Sequence, residues 1–176
     1  MPTNSEANSW SDALARHAAS AAAYRETADA ISSASWSVPL GEGKWSPAQV
    51  TEHLNRTYKV VIGELSGEKG IRIRTPWLLR QVLRQTVLRS IYRKRQLPKG
   101  ARAPSEVIPK EVDGSQSELI ERFRSLATQF AQVAQSNVGK EGRKLTHHIF
   151  GEIDALRGID FVTIHIEHHH RQITKP

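Results

Sequence analysis

Residues 45–65 read WSPAQVTEHLNRTYKVVIGEL, and this stretch decides the kind of fold. Ser46 is a strong N-cap, because its hydroxyl can accept from a free amide of the first turn. Pro47 supplies the preset φ that the first helical position favours. Val50, Leu54, Val61 and Leu65 then recur at helical spacing and form one apolar stripe. His53 lies between Val50 and Leu54 within that stripe, where a polar side chain needs a reason.

Working outward, the same periodicity predicts more helices. The Ala-rich stretch from Ser9 to Ser35 carries Trp10, Leu14, Ala18, Ala21 and Ile31 loosely at helical spacing, and predicts one long helix. SVPLGEGKW (37–45), with one Pro and two Gly, is a loop. Beyond residue 65, SGEKG ends the helix, and TPWLLRQVLRQTVLRSIYRKR (75–95) repeats the cap-then-proline signal with Thr75 as cap. There Trp77, Leu78, Val82, Leu83, Val87, Leu88 and Ile91 form one face, with Arg80, Arg84, Arg89, Arg93 and Arg95 largely outside it. QLPKGARAPSEVIPKEVDG (96–114) is extended, and Ser115 or Ser117 caps a helix to about Asn137. GKEGRKLTHHIFGEID (139–154) reads as a loop before a last helix over 156–173. No segment alternates for long, so the expectation is an all-α single domain. Four main helices with an accessory basic helix fit a four-helix bundle.

Composition narrows the chemistry. At 176 residues the chain is long enough for a real core, and 38% apolar with 24% charged residues suits a globular protein. With no cysteine, thiolate nucleophiles and Cys-based zinc sites are excluded, so a transition-metal site must use His, Asp and Glu. Twenty-five Lys and Arg against 18 Asp and Glu give a formal +7, a weak pointer to anionic partners. No apolar run is long enough to span a bilayer, and the N-terminus lacks the basic and apolar blocks of a signal peptide, so a cytoplasmic protein is expected.

The histidines are the strongest functional signal. FVTIHIEHHHRQI (161–173) holds four of the eight. His165 and His169, four apart, project from one face of a helix and can grip one metal ion; His165 with His168 is a geometric alternative. Ile159, Phe161, Val162, Ile164 and Ile166 make this helix apolar nearly all round, so His165 is carried inside with them. A buried imidazole needs partners for its ring nitrogens. His53, core-facing on another helix, supplies a third imidazole, and three neutral His ligands with open positions are a pattern of catalytic zinc. A solvated His cluster (His168, His170) and an ordinary hydrogen-bonded core histidine are the competing readings. An expression tag fits poorly, since only three His are consecutive and RQITKP follows them.

WSPAQVTEHLNRTY, followed some hundred residues later by THHIFGEIDALRGIDFVTIHIEHHHRQI, resembles the DinB-like superfamily of metalloenzymes. The matching pieces are Trp45-Ser46-Pro47-Ala48-Gln49, His53-Leu54, His147-His148-Ile149-Phe150-Gly151, and His165 with His169 followed by Gln172-Ile173. His148 departs from the proline usual in that loop. The resemblance implies a four-helix bundle of up-down-down-up topology, with residues 67–114 as the long crossover between its parallel central helices. It also implies a divalent metal, nickel or zinc, on His53, His165 and His169, and frequent homodimers. The family register favours His169 over His168. Gln49, one turn before His53, and His147, on the loop before the last helix, are pocket candidates.

Two classes of function follow. A three-His metal can activate water for hydrolysis, or a low-molecular-weight thiol for transfer to a small-molecule electrophile. The resemblance extends to transferases using bacillithiol or mycothiol and to maleylpyruvate-isomerase-like proteins. Thiol transfer suits a chain without cysteine, because the cofactor brings the sulfur. The alternative is a binding protein that uses the basic segment 72–95 on nucleic acid or an anionic membrane, against the plainer expectation of a solvated face. A metal of purely structural role, or none, is a third possibility.

Overall fold

The computed structural model describes residues 4–98, 100–140 and 142–174. In chain order it contains α1 (Asn4–Ala30), α2 (Ser33–Trp36), α3 (Pro47–Leu65), α4 (Trp77–Leu83), a π-helical turn (Arg84–Leu88) and α5 (Arg89–Lys94). These are followed by α6 (Gln116–Gln135), a hairpin of β1 (Lys144–His147) and β2 (Gly151–Asp154), and α7 (Ala155–Ile173). Capping chemistry starts the central helices. Ser46 accepts from the Gln49 amide while Gln49 Oε1 accepts from the Ser46 amide, and Ser115 and Glu118 repeat this reciprocal box at α6.

Side-chain pairings fix the topology. Asn55 donates to the Leu119 carbonyl and Asn137 to that of Leu65, so α3 and α6 run in the same direction. Ser20 meets Glu167 and Thr27 meets His170, so α1 and α7 are parallel too. His17 bonds Tyr58 and Tyr24 bonds Thr51, which sets α1 antiparallel to α3. The result is an up-down-down-up four-helix bundle. Its core is built around Tyr24, Tyr58, Phe123, Phe130 and Ile159. The α1–α7, α3–α6 and α1–α6 seams are closely packed, whereas α3 and α7 approach at few points. That loose seam is where a site can form.

A second, smaller cluster lies on the other side of α7, where Leu88, Ile91, Phe150, Ile153 and Ile164 pack together. The α7 helix is therefore sandwiched. Ile159, Val162 and Ile166 face the bundle, and Ile164 with half-buried Phe161 faces the hairpin and the α4–α5 rod. This accounts for a helix apolar nearly all round.

The structure departs from the sequence reading in four places. The predicted helix over 9–35 ends at Ala30, because the Ser32 hydroxyl accepts from the Ser35 amide and starts a separate turn. Pro76, not Thr75, occupies the cap of α4, and no side chain caps it. The predicted helix over 75–95 is interrupted by the π-helical turn, and its apolar face divides: Leu88 and Ile91 are buried, while Trp77, Leu78 and Val82 are exposed. The predicted loop over 139–154 contains the antiparallel hairpin, with Leu145 opposite Ile153 and His147 opposite Gly151. Two glycines permit this arrangement. Gly151 sits at φ +71 beneath the Arg80 side chain, and at Gly158 of α7 a Cβ would lie 2.8 Å from a Leu145 methyl. No described helix is long and apolar enough to cross a membrane.

Candidate metal centre

The loose α3–α7 seam is bridged by three imidazoles. His53 projects from α3, and His165 and His169 from successive turns of α7. One nitrogen of each lies within 4.8 Å of the others. His53 Nε2 is 3.1 Å from His165 Nε2, and His169 Nε2 is 3.0 Å from the same atom. His53 and His169 are 2% and 5% exposed, and half-buried His165 is the most accessible of the three.

The partners of the outer nitrogens set the direction of the inner lone pairs. His53 Nδ1 lies 2.8 Å from the Val107 carbonyl, which can only accept, so Nδ1 carries the proton and Nε2 presents a lone pair. His169 Nδ1 lies 2.8 Å from Gln172 Oε1, and Gln172 Nε2 donates in turn to His168 Nε2 at 3.0 Å. The Nε2 of His169 therefore presents a lone pair as well. Both point at His165 Nε2, which can hold one proton and satisfy one of them; the other contact sets lone pair against lone pair. A cation removes that conflict for all three at once. Ligands at about 2.0–2.1 Å from one ion, at angles between 90° and tetrahedral, are about 2.9–3.4 Å apart. The 3.0 and 3.1 Å separations fall in that range, and the third pair of nitrogens, within 4.8 Å, would close in somewhat on a shared ion. The donor set fits a divalent metal.

Electrostatics agree with the hydrogen bonds. Burial lowers the His53 pKa to about 4. Burial, followed by the proximity of the other imidazoles, holds His165 and His169 well below their ordinary value. All three are neutral near pH 7, the form a metal ligand needs. The Trp45 ring covers the cluster, its centroid 4.8 Å from that of His53 and 6.3 Å from that of His169, nearly parallel to the latter.

No carboxylate joins the cluster among the described residues. Glu52, buried beside His53 in sequence, is paired with Arg56 at 2.7 Å and Arg122 at 3.5 Å. Glu167 is held by Arg95 at 2.7 Å and by Ser20.

The other candidates from the sequence have structural partners. Gln49 Oε1 is engaged by the Ser46 amide in the capping box. His147 Nδ1 accepts from the amides of Ile149 and Phe150, which closes the hairpin turn. Its ring packs on Phe150 and on Phe161, one turn before His165, and burial lowers its pKa to about 3. His147 therefore borders the site with its lone pair already used. His170 pairs with Thr27. Of the basic helix, Arg84 donates to the carbonyls of Phe150 and Glu152, and the Arg80 stem covers Gly151, whereas Arg89 and Arg93 are exposed.

Sequence reasoning missed the Val107 carbonyl, the Trp45 ring and the role of Gln172. Val107 carries no signal, because a backbone oxygen in an extended crossover looks like any other. Gln172, three residues after His169 on the same helix face, carried a signal that could have marked it as a partner for that ring.

Residues 16–173 match the sequence model of the DinB superfamily, and the chain belongs to that superfamily. Among solved structures it is similar to the crystal structure of TT2238, a four-helix bundle protein. The TM-score is 0.56 at 20% identity, over 95% of this chain and 99% of that one. No curated protein matches the sequence.

Proposed function

We propose that this DinB-superfamily chain is a metal-dependent enzyme that joins a low-molecular-weight thiol to an electrophilic small molecule, with nickel or zinc held by His53, His165 and His169. The observation that carries this reading is the pair of lone pairs converging on His165 Nε2, each fixed by an outward N–H bond to Val107 or Gln172. A divalent ion held by three neutral nitrogens supplies Lewis acidity that favours the anionic form of a thiol or water near neutral pH.

The chain's own residues do the rest. Val107 and Gln172 lock two tautomers, so two of the donor lone pairs are directed inward before an ion binds. Half-buried Trp45 lies against the rings of His53 and His169, and half-buried His165 is the ligand through which reactants would reach the ion. The carboxylates beside the ligands in sequence, Glu52 and Glu167, are tied to arginines and offer no general base. This favours a thiol over water, because a thiol's lower pKa makes it ionise without one. The thiol gives up its proton to solvent and its sulfur forms the new bond to the electrophilic carbon. The bond broken there sends its electron pair out with the leaving group or, in an addition across a double bond, onto the neighbouring atom, which takes up a proton from solvent.

The test is a conjugation assay with tag-free, metal-loaded protein, a low-molecular-weight thiol and a panel of electrophiles. Faster conjugation than with His53→Ala supports the proposal. Equal rates remove it, and ester or amide hydrolysis without thiol dependence would reassign the same site to water.

A further inference from the structure

The charge of this protein is concentrated in one segment. Residues 69–105 hold 11 of its 25 Lys and Arg and no Asp or Glu, so the rest of the chain, with 14 basic and 18 acidic residues, is net −4. The same segment carries the main apolar exposure. Trp77 is 61% exposed, Leu78 72%, Leu79 51% and Val82 58%, all within the seven residues of α4.

The α4 helix exposes most of its apolar side chains. Arginine attaches it to the hairpin: the Arg80 stem lies over Gly151, and Arg84 donates to the Phe150 and Glu152 carbonyls. Leu83 packs against the second core cluster, but Trp77, Leu78, Leu79 and Val82 are exposed. A helix meant only for water would place these groups the other way round. Arg72 before the helix, and Arg89, Arg93 and Lys94 along α5, are exposed as well. Apolar side chains amid cationic ones are the two components of interfacial membrane binding, with acyl-chain contact from the first and attraction to anionic headgroups from the second.

We propose that α4 and the basic segment around it dock this protein on the surface of an anionic lipid bilayer, with Trp77, Leu78, Leu79 and Val82 entering the headgroup boundary. A second copy meeting this one α4 to α4 is a poorer occupant, because it would bring two acid-free cationic segments together. Nucleic acid would satisfy the arginines but leave the leucines and valine without a partner chemistry.

Cosedimentation of the whole chain with vesicles of phosphatidylcholine, and with equal parts phosphatidylcholine and phosphatidylglycerol, tests this. The expected result is retention on the anionic vesicles only, weakening as salt rises. Partition should fall roughly tenfold or more both for Leu78→Ser/Leu79→Ser/Val82→Ser and for Arg89→Gln/Arg93→Gln/Lys94→Gln. All six side chains are exposed, so helical circular dichroism should be unchanged. In the wild type, tryptophan emission should shift to the blue with anionic vesicles, and Trp77→Phe should remove the shift. No retention, equal retention on neutral vesicles, an unshifted emission, or full binding by the apolar triple variant overturns the proposal. So does finding that this variant only converts a dimer to a monomer, or that a DNA duplex is bound equally well with or without the apolar residues.

Discussion

His17 and the His53–His165–His169 trio are histidines withdrawn from water in the same bundle, and their ring nitrogens are treated differently. His17, between α1 and α3, is bonded through Nε2 to the Tyr58 hydroxyl at 2.8 Å and lies against the Phe130 ring. It is a core histidine with a hydroxyl for a partner. His53, His165 and His169 instead turn nitrogens on one another, and give their outer N–H groups to acceptors that lock the lone pairs inward. Burial alone does not distinguish the two. The direction of the lone pairs does.

The comparison breaks most sharply with metal. A divalent ion at a thousandfold over its dissociation constant should stabilise the protein by about 4 kcal/mol. Thermal melts with and without chelator should show this as a several-degree shift that His165→Ala abolishes and His17→Gln preserves. A similar shift in the His165→Ala variant would mean that the ion binds elsewhere.

Acid should act on His17 next. Burial lowers its folded pKa to about 4, against an ordinary 6.5. Below 6.5 the unfolded chain takes up the proton first, so the stability from a neutral His17 is complete above that pH and is lost as pH falls toward 4. The span is about 3 kcal/mol. Denaturant unfolding of the metal-free protein at pH 7 and pH 4.5 should show this loss in the wild type on top of the losses from His53, His147, His165 and His169, whose pKa values burial also lowers. His17→Gln, which keeps a polar partner for Tyr58 without titrating, should show less of it.

Smaller effects sharpen the picture around the trio. Gln172→Leu removes the acceptor that fixes the His169 tautomer and should weaken metal binding about 10- to 100-fold while leaving the fold intact. Gln49→Ala breaks the capping box of α3 and should cost about 1 kcal/mol in stability with little change in metal affinity. The reverse result, with metal lost and stability kept, would return Gln49 to the pocket.

Much of this was legible in the sequence because it is local. Ser46-Pro47 announced α3, the four-residue spacing of His165 and His169 put them on one face, and His53 stood out as polar within an apolar stripe. What stayed hidden is non-local or short. The hairpin strands have four residues each, too few for alternation to register. The π-helical turn changes the phase of an apolar pattern that reads as continuous, so the exposure of Trp77, Leu78 and Val82 could not be seen. The Val107 carbonyl reaches His53 from 54 residues away, and only the folded crossover brings them together.

The most direct test is an equilibrium titration of tag-free protein with zinc or nickel, read by calorimetry and elemental analysis. One ion per chain in the wild type, and none at that site in His53→Ala or His169→Ala, is the expected result. A wild-type protein that takes up no stoichiometric ion, or variants that bind it as tightly as the wild type, would contradict the assignment of these three imidazoles as a metal centre.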